Sequence, residues 1–253
     1  MLNIYPVIHY FERKLALEQV AIARNAGANG VFFLTHHDKD DEVVAAARQA
    51  KQEYPHLAVG INLLTRTAPE AVDHALAAGL DMVWSYDMGV SSAGISPLGQ
   101  RLADLGRAHP GLTLFAAVAF KSLAPEPDPA AAAENAVAAG FIPTTSGSRT
   151  GRAPEVEKIR QMSLASFGDL AVASGMTAAN IWTYKPHVQH VMVATSVALD
   201  GYRISPRRLV EFIRQARATA PTKPEFLRLA SESRLAACYP ADRMVWFDGG
   251  VGA

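Results

Sequence analysis

Eight short apolar runs, each followed by a longer stretch rich in alanine and scattered charge, constrain this chain more than any single motif. The runs cover residues 4–9, 30–34, 58–63, 82–85, 112–120, 141–144, 170–173 and 191–194. Most are apolar almost throughout, as strands buried on both faces are, and such strands belong to parallel sheets covered by helices. Their starts lie roughly 20 to 30 residues apart, the length of one strand–loop–helix unit. Eight such units in a chain of 253 residues predict an α/β fold, a single closed (β/α)₈ barrel over residues 1–218, in preference to an open doubly wound sheet.

Helix boundaries agree with that count. Thr67, Pro69 and Glu70 spell a capping box with proline in the first turn, opening the third helix. Ser205 and Pro206 open the eighth in the same way. Asp40 and Asp41 fall where the positive end of the second helix should lie. Gly27, Gly79 and Gly140 follow helix ends as left-handed stops. Residues 123–129 are proline-rich and acidic and read as a loop. Residues 219–253 run past the eighth helix and carry Phe226, Leu227, Trp246 and Phe247. They predict an extension packed on the barrel or on a partner subunit.

Composition narrows the function classes. Hydrophobic residues make up 49% and charged residues 19%, ordinary for a soluble domain of enzyme size. Lysine plus arginine (24) equals aspartate plus glutamate (24), so nothing points to nucleic acid or an anionic membrane as partner. Cys238 is the single cysteine, so no internal disulfide is expected. Residues 1–6 show neither a basic region nor a cleavable apolar segment, and no run is long enough to span a bilayer. The expectation is a cytoplasmic protein, and a homo-oligomer on the frequency of symmetric assemblies.

Ligands of such barrels bind at the C-terminal ends of the strands. Reading those positions in order gives His9, then His36 and Asp38, then Asn62, Ser85 and Asp87, Lys121, Arg149 and Thr150, and finally Ser174, Gly175, Thr195 and Ser196. The last four follow the seventh and eighth runs, where barrels often hold a phosphate. Glycine there admits an anion to the backbone, N–H groups donate to it and the hydroxyls add donors. The same residues also suit tight turns. Residues 144–151 form a donor-rich loop in which Arg149 can clamp an anion, with Thr150 beside it. Asp87 and His36 are candidate acid–base groups, and Lys121 a phosphate partner or a desolvated nucleophile. His9, Asp38, Asn62 and Ser85 complete the expected substrate contacts. His36, His37 and Asp38 diverge on an extended segment. His187 and His190 have helical spacing but no third ligand. No metal site or cofactor is predicted, although magnesium held through water by Asp87 or Asp38 would leave no sequence signature.

Three blocks carry a family resemblance. Residues 146–151 (SGSRTG) with 153–159 (APEVEKI), residues 173–180 (ASGMTAAN) and residues 194–201 (ATSVALDG) resemble the BtpA (BtpA/SgcQ) family of barrel proteins. The likeness runs over most of the barrel and is most specific across 144–201. Ala194 stands where that family has glycine, and Ala198 where it usually has lysine. His9 is followed by Tyr-Phe-Glu rather than a stretch ending in Leu-Pro-Gly. The resemblance implies a barrel related to phosphate-binding enzymes. The photosystem-assembly role of the family's namesake is not carried over.

The expected activity is that of an enzyme on a small phosphorylated sugar or nucleotide-like ligand. Transfer or cleavage at a ribosyl carbon, or a lyase or isomerase reaction, would fit. The alternative is a non-catalytic ligand-binding or assembly factor of the BtpA type. Fold alone does not choose between them.

Overall fold

Within a strand, successive side chains face opposite sides of the sheet, so each apolar run must fill two different spaces. The structure, a computed structural model, describes residues 2–218. The extension expected at 219–253, with Cys238, lies outside the described residues. The elements run β1 (Asn3–His9), α1 (Arg13–Ala26), β2 (Gly30–Leu34), α2 (Asp40–Glu53), β3 (Ala58–Asn62), α3 (Ala68–Ala78) and β4 (Met82–Ser85). A short hairpin, β5 (Val90–Ser91) and β6 (Gly94–Ile95), precedes α4 (Pro97–Ala108) and β7 (Thr113–Ala117). Then come α5 (Pro129–Ala138), β8 (Ile142–Thr145), α6 (Val156–Ala165), β9 (Ala171–Ala173), α7 (Ile181–Tyr184), β10 (His190–Val193) and α8 (Pro206–Arg217). Eight strands close a parallel barrel in the order β1-β10-β9-β8-β7-β4-β3-β2, the (β/α)₈ fold the sequence predicts.

Two cores result from the alternation. Outward residues such as Ile4, Val31, Phe33, Ile61, Val83 and Val191 pack under helix faces built from Ala46, Ala50, Ala71, Ala75, Ala132 and Ala136. Small side chains let those helices lie close to the sheet. Inward residues form a separate cluster that includes Tyr5, Phe32, Met82, Trp84, Phe115 and Met192. Tyr5, Phe32 and Phe115 meet edge to face, with centroids 5.3–6.0 Å apart, a geometry worth about 0.5–1.5 kcal/mol per pair beyond burial. Room for Phe32 comes from Gly60 on β3. A Cβ there would lie 2.5 Å from the Phe32 ring and 2.8 Å from Met82 Cβ.

Local signals behave as their chemistry requires. Thr67 accepts from the Glu70 N–H while Glu70 accepts from the Thr67 N–H, closing the capping box. Gly27 and Gly79 take left-handed backbones (φ 86° and 67°) after α1 and α3. Asp40 does more than face the α2 dipole. It is buried, and its Oδ2 accepts from the Thr65 N–H and hydroxyl (3.1 and 2.6 Å), tying the β2–α2 loop to the β3–α3 loop.

Three expectations need correction. The fifth strand was expected over 112–120 but ends at Ala117, because Ala119 turns left-handed (φ 48°) and Phe120 folds back over the barrel interior. His187 and His190 share no helix. His190 opens β10 and points into the barrel, where Nε2 meets Asp169 at 3.1 Å and Nδ1 meets the Tyr5 hydroxyl at 3.3 Å. The β5–β6 hairpin was not foreseen, since two-residue strands carry no readable period. Among the described residues, no helix is long and apolar enough to cross a membrane.

Gly60→Ala forces Phe32 and Met82 to give way and is expected to cost about 1–3 kcal/mol. It should lower the urea midpoint without changing the slope, and Phe32→Leu in the same chain should restore part of the loss.

Candidate functional site at the barrel mouth

The strand alternation that fills the barrel also decides which polar residues reach its mouth. His9 ends β1 on an inward position. His36, two residues past the inward Leu34, brings its ring to 5.2 Å from the His9 ring. Lys121 follows Phe120, whose ring packs on Trp84 and Tyr86 inside the barrel. Its Nζ donates to Thr150 Oγ1 at 3.0 Å, and its N–H donates to Ser146 Oγ at 2.9 Å. His9, His36 and Lys121 are thus drawn together, with Thr150 on the lysine.

Their charges interact. Burial, reinforced by the nearby His36 and Lys121, pushes the His9 pKa down from 6.5 to about 4. The imidazole is therefore neutral at neutral pH. Burial also lowers the Lys121 pKa from its ordinary value. Lys158, which sequence reasoning missed, supports this corner. Its ammonium donates to the carbonyls of Ala119 (2.6 Å) and Ser146 (3.1 Å), and burial lowers its pKa. It staples the loop after β7 to the loop after β8. A lone lysine on a helix gives no sequence signal for such a role.

Asp87 does not join this group. Trp84 and Tyr86 take the inward positions, so Asp87 lies outside the barrel wall, exposed, with Oδ1 accepting from the Gly89 N–H at 3.1 Å. It lines a cleft of about 430 Å³ outside the ends of β3 and β4, shared with Asn62, Ser85, Tyr86, Arg66 and Arg101. Burial raises the Tyr86 pKa, against the opposing effect of the neighbouring Asn62 amide and Ser122 hydroxyl. Asp38 is exposed on the loop beyond β2. Its neighbour His37 lies 3.3 Å from the Tyr202 hydroxyl.

The corner beyond β9 and β10 differs in detail from the expectation. Ser174 Oγ donates to the Arg149 carbonyl (3.2 Å) and Ser196 Oγ to the Met176 carbonyl (2.6 Å), so both hydroxyls hold loops together rather than face a ligand. The space beside Gly175 (φ 68°) is filled by the chain at Arg152 and Ala153. A Cβ there would sit 2.1 Å from the Ala153 nitrogen, and one on Gly147 would sit 2.0 Å from the Arg152 oxygen. These glycines let two loops interlock. What remains available is backbone: among the described residues, the N–H groups of Gly175, Thr195 and Ser196 donate to no protein acceptor. Thr195 is exposed beside them. Arg149 is exposed and its guanidinium makes no hydrogen bond or ion pair among the described residues. Also among the described residues, no three His, Cys, Asp or Glu side chains gather as a metal site.

No protein-family model matches the sequence, and no curated protein matches it. Solved structures do share its fold. A 3-keto-L-gulonate-6-phosphate decarboxylase from Vibrio cholerae superposes with a TM-score of 0.65 at 12% identity, over 87% of this chain and 99% of that one. A phosphoribosyl anthranilate isomerase from Thermus thermophilus gives 0.60 at 16% identity, over 92% and 100%. A structure described as native KDPGal gives 0.62 at 16%, over 85% and 95%. At such identities the likeness is one of fold.

The His9 shift has a signed consequence. Its folded pKa (about 4) lies below the unfolded value of 6.5, so the unfolded chain binds the proton first as the pH falls. The contribution is intact above the unfolded value and is lost between the two, by up to roughly 3 kcal/mol. Urea unfolding at about pH 7.5 and about pH 4.5 should show a smaller acid loss in His9→Asn than in the parent chain.

Proposed function

We propose that the chain is an enzyme that binds a small phosphorylated sugar or nucleotide-like molecule across the barrel mouth. The phosphate would sit on the backbone N–H groups of Gly175, Thr195 and Ser196, and the reacting carbons would lie under His9, His36 and Lys121. One observation carries this reading: three basic side chains, His9, His36 and Lys121, converge at the mouth, with His9 and Lys121 lowered in pKa by burial and no carboxylate partner for them among the described residues. Such a cluster favours an anion, because the negative charge removes the repulsion that burial intensifies. Phosphate binding by free amides in the loops after the last two barrel strands is common in this fold. The phosphoribosyl and 6-phosphate compounds named for two of the structural neighbours agree with that ligand class.

The chemistry that fits is proton transfer beside a carbonyl, as in a lyase or isomerase reaction. Neutral His9 and its neighbour His36 can pass a proton, and the Lys121 ammonium can stabilise negative charge growing on a substrate oxygen. Thr150 and Ser146 orient the lysine, and Arg149 is free to close over the phosphate. Asp87 has no part in this set. A second reading, a non-catalytic binding or assembly factor of the BtpA type, draws on Leu164 (72% exposed) and Phe167 (88% exposed), which present apolar surface near the end of α6. The shifted lysine beside the shifted histidine favours the enzyme.

A thermal-shift panel tests the ligand class: phosphate, ribose 5-phosphate, phosphoribosyl pyrophosphate and nucleotides against their unphosphorylated counterparts. A ligand at ~100 times its dissociation constant should add about 2.7 kcal/mol of stability. Lys121→Met should weaken the best phosphorylated hit ~10-fold, about 1.4 kcal/mol. Equal shifts with unphosphorylated compounds would overturn the reading.

A further inference from the structure

The turn that carries Lys121 is held by a second lysine that has no place at the mouth itself. Lys158 stands in the first turn of α6, partly buried, and its ammonium donates to two main-chain carbonyls, Ala119 at 2.6 Å and Ser146 at 3.1 Å. Among the described residues it forms no ion pair. An ammonium drawn out of water toward carbonyls alone is a costly choice of donor, so what those carbonyls control is informative.

The first belongs to the strained point of the turn. Ala119 is left-handed (φ 48°), a backbone that a residue with a Cβ adopts only when its surroundings impose it. Its carbonyl takes a second donor as well, the Thr145 hydroxyl at 3.0 Å. Fixed there, the chain turns Phe120 onto Trp84 and Tyr86 and delivers Lys121 next. The second carbonyl belongs to Ser146, whose hydroxyl accepts from the Lys121 N–H at 2.9 Å. Lys158 therefore holds both the residue that bends the chain before Lys121 and the residue that anchors the Lys121 amide. A charged donor holds carbonyls more firmly than a neutral one, which suits a turn that would otherwise relax.

We infer that Lys158 is a positioning residue for the mouth, acting through the Ala119 and Ser146 carbonyls to keep the Lys121 ammonium in its half-buried place against Thr150. Lys158 touches no ligand, and its effect on binding rests on the phosphate reading above. Its effect on Lys121 does not. Burial is what lowers the Lys121 pKa, so a loosened turn that lets this side chain into water raises it toward the ordinary value.

Trace acetylation of the full chain over an alkaline pH series, read lysine by lysine by mass spectrometry, gives the Lys121 titration midpoint. Lys158→Met should shift that midpoint upward. Lys158→Gln loses the charge but keeps N–H donors, and should shift it less. Thr145→Val, which removes the other donor to Ala119 and keeps the shape, should shift it in the same direction as Lys158→Met. Calorimetry with ribose 5-phosphate closes a cycle: Lys158→Met should weaken binding ~5-fold in the parent chain and change nothing in a Lys121→Met background. An unmoved midpoint, equal shifts for the Met and Gln variants, or a loss of binding that persists without Lys121 would overturn the positioning role. If ribose 5-phosphate does not bind the parent chain, the phosphate reading loses its support, and the Lys121 midpoints alone decide the role of Lys158.

Discussion

Phe32 can occupy the barrel axis only because β3 has no side chain at Gly60. Closing eight parallel strands leaves an interior that must be filled without voids, since protein interiors pack as densely as organic crystals. Here a few large rings do the filling. Phe32 leans over Gly60, Tyr5 and Phe115 meet it edge on, and Trp84, Tyr86 and Phe120 stack above toward the mouth. The alternation that puts Gly60 inside also puts Asn62 inside, two residues on. On β4 the same alternation puts Trp84 and Tyr86 inside and leaves Ser85 and Asp87 out. Packing therefore sorts the polar residues of the strand ends into two groups before any ligand is considered.

The electrostatics follow from that sorting. The interior beneath the mouth is aromatic and apolar, so the bases that close it lose hydration without gaining a carboxylate. Burial lowers the pKa of both His9 and Lys121, and at His9 the nearby His36 and Lys121 add to the effect. On the opposite side of the wall, Asp87 sits among arginines. The buried base at the centre is thus separated by the barrel wall from the exposed charged groups outside it. Such separation keeps the His9 imidazole neutral at neutral pH.

Much of this was legible in the sequence. Parallel strands buried on both faces read as apolar runs, so all eight barrel strands were found, and β2 and β4 to the residue. The capping box at Thr67 and Glu70 was readable because both partners lie within one turn. The strand ends were read as rich in polar groups, and of those named there the structure brings His9 beside His36 and Lys121 beside Thr150. What failed was the inside-or-outside assignment beyond a strand's last residue. Asp87 was grouped with Lys121 because nothing in its own neighbourhood shows that Tyr86 claims the interior. The hydroxyls of Ser174 and Ser196 look like ligand contacts in one dimension. Their partners, the Arg149 and Met176 carbonyls, are about 20 or more residues distant and leave no local period. Lys158 was invisible for the same reason, since it acts across elements.

The interlock of Gly147 and Gly175 with the chain at Arg152 and Ala153 also has a mechanical meaning. The turn after β9 and the base of the loop after β8 are keyed together at backbone contact, with no side chain between them to slide. They can shift only as one body. Any closure over a bound molecule on this side must therefore be made by the tip, residues 148–151, hinging on a base that stays fixed. The Ser196 hydroxyl on the Met176 carbonyl ties the turn after β10 to the same base, so the spacing of the two turns does not depend on the tip.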